Sequence, residues 1–374
     1  MSWSVIKGEG VRNLHPFKIN PSKKLSFFWG DNGAGKTSLL EAVCFLSTGR
    51  SFRGKSPDSF INAELSTTTL FGEWLSQKNT YRIGVQRDRK NNLINQINGA
   101  KQRNLSVNNE LLAVKVLTPD IFSVVAGKAD QRRNLLDWPL FHVEHLFRKA
   151  KTDANRVLKQ RNASLRTAKS KGLTQQNKDQ IQGWDEQLVK LAETLHQFRS
   201  SAAERLQNSL FSLKGKPGEW ISEQNLSVRY QSGWPKAKNL ADVLSANLEK
   251  DIQKGYTQAG PHRFDLTLYT DSVATAEVFS RGELKTLAVA SQLCQIQRLV
   301  DEKQQVVVLL DDLFAELDSN HSNWCLEQLN QLAGVQSFIT GINIPKAIKQ
   351  RFSGKGTGWF HVEHGRIKAE ENNL

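Results

Sequence analysis

LSFFWGDNGAGKTSLLE, residues 25–41, reads as a buried strand, a glycine-rich turn and the start of a helix. Leu25 to Trp29 form a short apolar run rich in aromatic residues, which predicts a central strand, and Ser38 to Glu41 suit a first helical turn. The turn between them, Gly30, Asp31, Asn32, Gly33, Ala34, Gly35, Lys36 and Thr37, fits the phosphate-loop pattern G-x-x-x-x-G-K-[ST]. Glycines at 30, 33 and 35 let successive backbone N–H groups face one concavity, and the following helix adds partial positive charge there. Lys36 is placed to reach β- and γ-phosphates, and the Thr37 hydroxyl to ligate a magnesium ion. The flanking strand and helix separate this stretch from an ordinary glycine turn.

A phosphate loop needs acids delivered from a second strand. VVVLLDD, residues 306–312, is a continuous β-branched and aliphatic run ending in two carboxylates, which predicts a buried parallel strand with Asp311 and Asp312 at its C-terminal edge. Asp311 is the expected magnesium-side residue, and Asp312 the one that orients or deprotonates an attacking water. FAELD then carries Glu316 and Asp318 onto a turn beside them. Upstream, FSRGELKTLAVASQLCQIQRLV (279–300) opens a helix at Ser280 and Gly282, a pairing that suits an anion at a helix N-terminus and equally suits a simple cap. VQSFITG (335–341) predicts another buried strand with Thr340 at its polar end, and GWFHVEHGRIK a closing hairpin around His364 and Gly365.

The remaining chain divides by texture. Residues 3–8 and 14–19 predict short strands that lead into the strand before the loop. TTTLFGEWL, YRIGVQRD, LINQING and LLAVKVLTP, between residues 60 and 120, predict four strands of an antiparallel sheet. From about 121 to 259 the pattern is helical. One apolar stripe runs through Phe147, Ala150, Ala154, Val157, Leu158 and Leu165 over 141–171, and a second from Trp184 to Leu210. Two helices of about 28 residues, joined by the polar stretch KSKGLTQQNKDQ, predict an antiparallel hairpin arm over about 141–213. Three segments follow: an N-terminal head part (1–120), a helical lobe with its arm (121–259) and a C-terminal head part (260–374).

Fifty-one Lys and Arg against 37 Asp and Glu in 374 residues leave a net charge of +14, which favours a polyanionic partner, nucleic acid first among them. The charge is not evenly spread. Arg148, Lys149, Lys151, Arg156, Lys159, Arg161, Arg166, Lys169 and Lys171 face a single acid, Asp153, across 148–171, so this half of the arm is the candidate phosphate-contacting surface. Cys44, Cys294 and Cys325 have no metal or redox spacing and read as reduced core residues. No apolar run approaches a membrane span and no leader is evident at the N-terminus, so the expectation is a soluble, cytoplasmic protein with no membrane partner.

Phosphate loop, serine-glycine helix and then, 31 residues after Ser280, the acid Asp311 follow the order found in ABC-type ATPases. More specifically, VRN (11–13), GDNGAGKTSLLEA (30–42), LTPDIF (117–122), RRNLLDW (132–138) with FHVEH, LKQRNASLR (158–166), GPHRFDL (260–266), SRGELK (280–285) and LLDDLFAELD (309–318) make the chain resemble the RecF family of bacterial DNA replication and repair proteins, whose heads are ABC/SMC-like ATPases. The resemblance spans nearly the whole chain. It departs at Val11, where an aromatic residue is usual, at Ala315, where serine is common, and at Thr340, where related ATPases often carry a histidine. It implies an α/β ABC-type P-loop head, with a mixed sheet and an antiparallel β subdomain, carrying an inserted helical lobe and hairpin arm. It further implies a weak, DNA-stimulated ATPase that uses ATP and Mg2+. Such a protein forms an ATP-dependent homodimer and binds single-stranded DNA, duplex ends and junctions, where it works with RecO and RecR to help RecA load at gaps. By the same resemblance, Gly30 to Thr37 hold the nucleotide phosphates, Asp311 the magnesium and Asp312 the water. Ser280 and Gly282 cap the γ-phosphate bound by the partner head, Asp318 lies on the dimer-side turn, and Arg12 and Asn13 lie near the nucleotide. An SMC-like structural tether and a transporter-type ATPase subunit are the alternative readings.

Overall fold

The computed structural model describes residues 2–54, 56–76, 79–102, 108, 112–354 and 356–370. The chain forms two compact units, residues 1–121 with 296–374 and residues 122–295.

The first unit holds two six-stranded sheets. One is antiparallel, in the order β2-β1-β4-β5-β6-β7, from β1 (Ser2–Glu9), β2 (Phe17–Ile19), β4 (Thr67–Leu75), β5 (Thr80–Asp88), β6 (Leu93–Ile97) and β7 (Ala100–Gln102). The other runs β15-β14-β3-β13-β12-β8, from β3 (Leu25–Trp29), β8 (Ala113–Leu117), β12 (Val306–Leu310), β13 (Val335–Gly341), β14 (Thr357–Glu363) and β15 (Arg366–Ala369). It is parallel throughout except for β15, which closes the hairpin with β14. The stretch LLAVKVLTP, expected in the antiparallel sheet, instead supplies β8, paired in parallel with β12. Its Ala113, Val114 and Leu117 are buried, and such a run, covered on both faces, suits a parallel sheet better than a half-solvated antiparallel one.

Between the sheets lies the helix Lys36–Thr48. Leu39, Leu40, Val43, Phe45 and Leu46 join Trp3, Ile6 and Trp74 of the antiparallel sheet and Phe28, Phe338 and Phe360 of the parallel one in a single core. A helix buried on almost every side has no polar stripe. Gln336 also ties the layers, accepting from the Trp3 N–H at 2.8 Å and donating to the Trp3 carbonyl at 3.0 Å.

In the second unit, the pattern expected as one helix over 141–171 breaks at Glu144, whose backbone is extended (φ −107°, ψ 101°), so that Ala129–Val143 and His145–Lys171 are separate helices. The second arm helix runs from Gln175 to Phe211. The polar stretch between the apolar stripes is therefore mostly helical: only residues 172–174 make the turn, with Thr174 capping the Asn177 N–H. A polar face lets a helix continue through residues that bury nothing, which hides its start from an apolar-stripe reading. The arm is also not a bare pair. Leu240 and Leu244 of the short helix Leu240–Ala246 pack with Val157, Leu188 and Ala192, and Leu248 and Ile252 of the helix Leu248–Lys254 pack with Leu165, Ala168 and Ile181. β9 (Leu226–Gln231), β10 (Asp265–Thr270) and β11 (Val273–Ala274) form a small antiparallel sheet in this unit.

Two buried arginines organise the lobe. Arg161, fully buried, pairs with Asp185 and with Asp251 (2.8 Å), and donates to Thr257 at 2.8 Å. Arg199 grips Asp137 through two hydrogen bonds of 2.8 and 3.0 Å and lies 3.6 Å from the centre of the Phe264 ring. Arg161 thus leaves the set of phosphate-contacting candidates: a guanidinium held by two carboxylates in the interior cannot reach a polyanion. Lys149, Arg156, Lys159, Arg166, Lys169 and Lys171 remain exposed.

Candidate functional site

The loop Gly30–Gly35 leaves β3 and enters the helix at Lys36, as its residue types dictate. Its glycines have different causes. Gly30 adopts φ +151°, and a Cβ there would stand 2.0 Å from the Val362 carbonyl oxygen; Gly35 adopts φ +114° against Leu14. Gly33, at φ +77°, faces open space, so it is the glycine whose surroundings leave room for a bound group. The closing hairpin lies against the loop, with the Gly365 N–H donating to the Ala34 carbonyl at 2.9 Å.

The Lys36 ammonium is buried and turned back on the loop, donating to the carbonyls of Gly30 (2.8 Å) and Asp31 (2.9 Å). Asp31, Asn32 and Gly33 form the exposed tip. Asn13 braces it by donating to the Gly33 carbonyl at 2.7 Å and accepting from the Ser38 hydroxyl at 2.9 Å. Arg12, in the left-handed region at φ 43°, forms a two-point ion pair with Glu41, one hydrogen bond measuring 2.9 Å; Glu41 is fully buried and also accepts from Ser51. A cavity of about 650 Å³ opens on this side, lined by Arg12, Asn13, His15, Ser59, Asn62 and Leu65 among others.

Across the sheet, Thr37 donates to Asp311 Oδ1 at 2.9 Å. Thr340, wholly buried at the end of β13, donates to the same oxygen at 2.9 Å and accepts the Asp312 N–H at 2.9 Å. Burial pushes the Asp311 carboxyl above its ordinary value, the two threonine hydrogen bonds pull it down, and the neighbouring Asp312 charge adds to the rise. Asp312 sits at φ 49°, ψ 43°, and its Oδ1 is buried with no hydrogen-bond partner among the described residues. Asp318 caps the helix Ser319–Gln331 through the N–H groups of Asn320 and His321, which hold its carboxyl below the ordinary value.

Ser280 and Gly282 lie in the second unit and are both exposed. The helix Arg281–Asp301 opens with a reciprocal cap, Glu283 accepting from the Ser280 N–H at 2.7 Å and the Ser280 hydroxyl accepting from the Glu283 N–H at 3.4 Å.

Thr37, Asp311, Asp312 and Lys36 therefore meet at one end of the parallel sheet, with Asn13 and Arg12 bracing the loop. The sequence reading missed Glu41 and, while it noted Thr340, gave it no role. Glu41 is the one acid within the apolar run Leu39–Leu46 of its helix, the usual sign of a buried partner. Thr340 is a hydroxyl at the end of a buried strand beside two acids. The three cysteines are buried, and burial lifts each thiol to about 12, away from reactivity. No helix among the described residues is long and apolar enough to cross a membrane.

A phosphate loop facing paired acids across a parallel sheet, with an antiparallel sheet stacked on it, defines an ATPase head of the ABC/SMC class, and residues 4–353 match the RecF/RecN/SMC N-terminal domain family. Within that class the chain belongs to the RecF family. It is 35% identical over 372 residues to the DNA replication and repair protein RecF of Shewanella denitrificans, covering 99% of this chain and all of that relative. The RecF of Shewanella baltica OS185 is also 35% identical, over 375 residues. The fold agrees. A solved structure of the recombination mediator protein RecF with ATP, from the RecFOR pathway, superposes with a TM-score of 0.85 over 99% of this chain and 98% of its own at 24% identity. An SMC head bound to the C-terminal winged-helix domain of ScpA gives 0.54 at 12% identity, over 99% of this chain and 97% of its own.

Proposed function

We propose that this protein is an ATP-dependent DNA-binding switch of recombinational repair and replication restart. It dimerises when nucleotide is bound, engages gaps and single-strand/duplex junctions, and acts there with RecO and RecR to help RecA load. Its ATPase is weak and stimulated by DNA. The observation that carries this reading is the 2.9 Å hydrogen bond joining Thr37 to Asp311 at the mouth of the phosphate loop, across 274 positions of sequence.

The residues present fit a magnesium–nucleotide. Among the described residues no group of three His, Cys, Asp or Glu could hold a metal alone. That suits magnesium, which is commonly held by one or two side-chain oxygens together with substrate phosphates. Thr37 and Asp311 would supply those oxygens, and the orphaned Asp312 Oδ1 is an acceptor waiting for a water proton. A bound magnesium–ATP supplies concentrated negative charge and a phosphoryl group open to attack by water. Lys36, now on the two loop carbonyls, and the N–H groups around Gly33 would hold the phosphates, and the cavity beside Arg12 and Asn13 would offer room for the base and ribose. Asp312 would hold the water and accept its proton.

Ser280 and Gly282, exposed at a helix N-terminus, are suited to a γ-phosphate presented by a second copy. Dimerisation then lasts only while that phosphate remains. The exposed cations of the first arm helix are the duplex-contacting surface; pairing two arms multiplies weak phosphate contacts. The test is light scattering with and without magnesium–ATP and a gapped duplex, on wild type, Lys36→Met and Ser280→Arg. An ATP-requiring dimer with tighter DNA binding, lost in both variants, is expected. A monomer indifferent to ATP, binding DNA equally in all three, would overturn the reading.

A further inference from the structure

A second feature of the helical unit remains outside the ATPase chemistry. A groove of about 940 Å³ runs between the second arm helix and β9 with its following loop. It is at the upper end of the ~300–1,000 Å³ range of ligand sites, and so more than a single base needs. His196, Tyr230 and Trp234 line it with rings: His196 and Tyr230 stack at 5.5 Å and 27°, and His196 and Trp234 meet at 5.8 Å and 58°. Lys236 and Arg263 stand exposed on its rim against one acid, Glu204.

The wall is rigid. Gly233 sits at φ +96°, where a Cβ would lie 2.3 Å from the Gly260 carbonyl oxygen. Its own carbonyl accepts the Gly260 N–H at 3.1 Å, and the Ser232 hydroxyl donates to the Trp234 carbonyl at 3.0 Å. Phe264 backs Tyr230 at 6.0 Å. The rings are thus held in place before any ligand arrives, which lowers the ordering cost of binding.

We propose that this groove is a binding site for an unpaired DNA strand, with the rings of Trp234, Tyr230 and His196 as stacking surfaces and Lys236 and Arg263 taking the adjacent phosphates. Stacking on rings requires bases that are not paired, and is tolerant of sequence because every base has a flat face. The contrast with the arm supports this choice. Residues 148–171 carry six exposed cations and no aromatic residue, a surface that can follow a phosphate backbone but has nothing on which to stack a base. The helical unit therefore holds two chemically different nucleic-acid surfaces, one suited to duplex backbone and one to single strand. This inference rests on the DNA-binding reading of the preceding section and adds to it where the single strand goes.

The test uses the full-length protein with two fluorescent probes, a thirty-nucleotide oligothymidylate and a blunt duplex of equal length, at one fixed salt concentration. Trp234→Leu and the surface change Lys236→Glu are each expected to weaken oligothymidylate binding at least about five-fold. Duplex affinity should stay within about two-fold. Because Trp234→Leu touches partly buried packing, a second readout is independent of it: an oligothymidylate carrying 5-iodouracil, irradiated on wild-type protein, should crosslink within residues 228–236. Unchanged oligothymidylate affinity in both variants, or crosslinks only elsewhere, overturns the assignment; a groove that serves a partner protein gives that outcome. Failure to bind either probe would remove the DNA reading as well, whereas retained binding of both with unaltered variants removes the groove alone.

Discussion

Replacing Thr340 by valine isolates the hydroxyl that joins both acids. Valine keeps the shape but removes a donor 2.9 Å from Asp311 Oδ1 and the acceptor of the Asp312 N–H, also at 2.9 Å. A hydrogen bond to a charged acceptor contributes about 1.5–3 kcal/mol net, and a buried donor left unpaired costs about 1–3 kcal/mol. Since Thr340 is fully buried, water offers little relief, and a loss of about 3 kcal/mol is expected. For a unit of this size each kcal/mol moves the midpoint by about 2–4 °C, so nucleotide-free Thr340→Val should melt roughly 6–12 °C lower. Thr340→Ser, which keeps the hydroxyl, should recover most of that. The Asp311 carboxyl also loses one of the two hydrogen bonds that hold it down, so its ionised, metal-binding form becomes harder to reach. Magnesium–ATP should therefore raise the melting point of Thr340→Val by less than it raises wild type; a ten-fold weaker affinity removes about 1.4 kcal/mol of ligand stabilisation. Scanning fluorimetry with and without magnesium–ATP measures both effects. Valine and serine variants that melt and respond to nucleotide like wild type would refute the claim that Thr340 holds the acids.

Asp311→Asn keeps an oxygen for Thr37 and Thr340 while abolishing the charge. Because burial raises the folded-state value of Asp311, the nucleotide-free protein loses stability as pH climbs from about 3.8, the unfolded value, through the raised one. The advantage of Asn over Asp should therefore grow from acid to neutral pH in urea titrations, while the magnesium–ATP shift disappears; a difference constant across that range counts against an ionised, desolvated Asp311. Arg161 and its exposed neighbours should part company. Arg161→Met strands Asp251, itself fully buried, and is expected to cost about 3–5 kcal/mol of stability in chemical denaturation. Lys159→Gln with Arg166→Gln should leave stability within about 0.5 kcal/mol per site and flatten the salt dependence of duplex binding by about 1.8 log units per log unit of salt, two phosphate contacts at 0.9 each. An unchanged salt slope would move the duplex contact off this helix.

The contrast between Arg161 and Lys159 also shows where reading a sequence stops. Both fall in the same basic run, and charge alone gives them one role. What separates them is the helical face: Arg161 lies toward Asp185 and Asp251, 24 and 90 positions away, and those partners come into range only after the chain folds. The head was legible because its signals are local. A phosphate loop declares itself within eight residues, and an apolar run ending in Asp311 and Asp312 declares a buried parallel strand. LLAVKVLTP carried the same continuous burial but sat among alternating strands, and its neighbours lent it the wrong sheet. Thr340 was visible as a departure from a common histidine, yet its use depends on β12 and β13 lying side by side in register, Leu310 against Ile339. That register brings one hydroxyl to the carboxylate of Asp311 and to the backbone of Asp312 at once. A serine-for-threonine exchange at 340 should therefore be tolerated where every non-hydroxyl residue fails, a pattern that pairing geometry imposes and that composition cannot express.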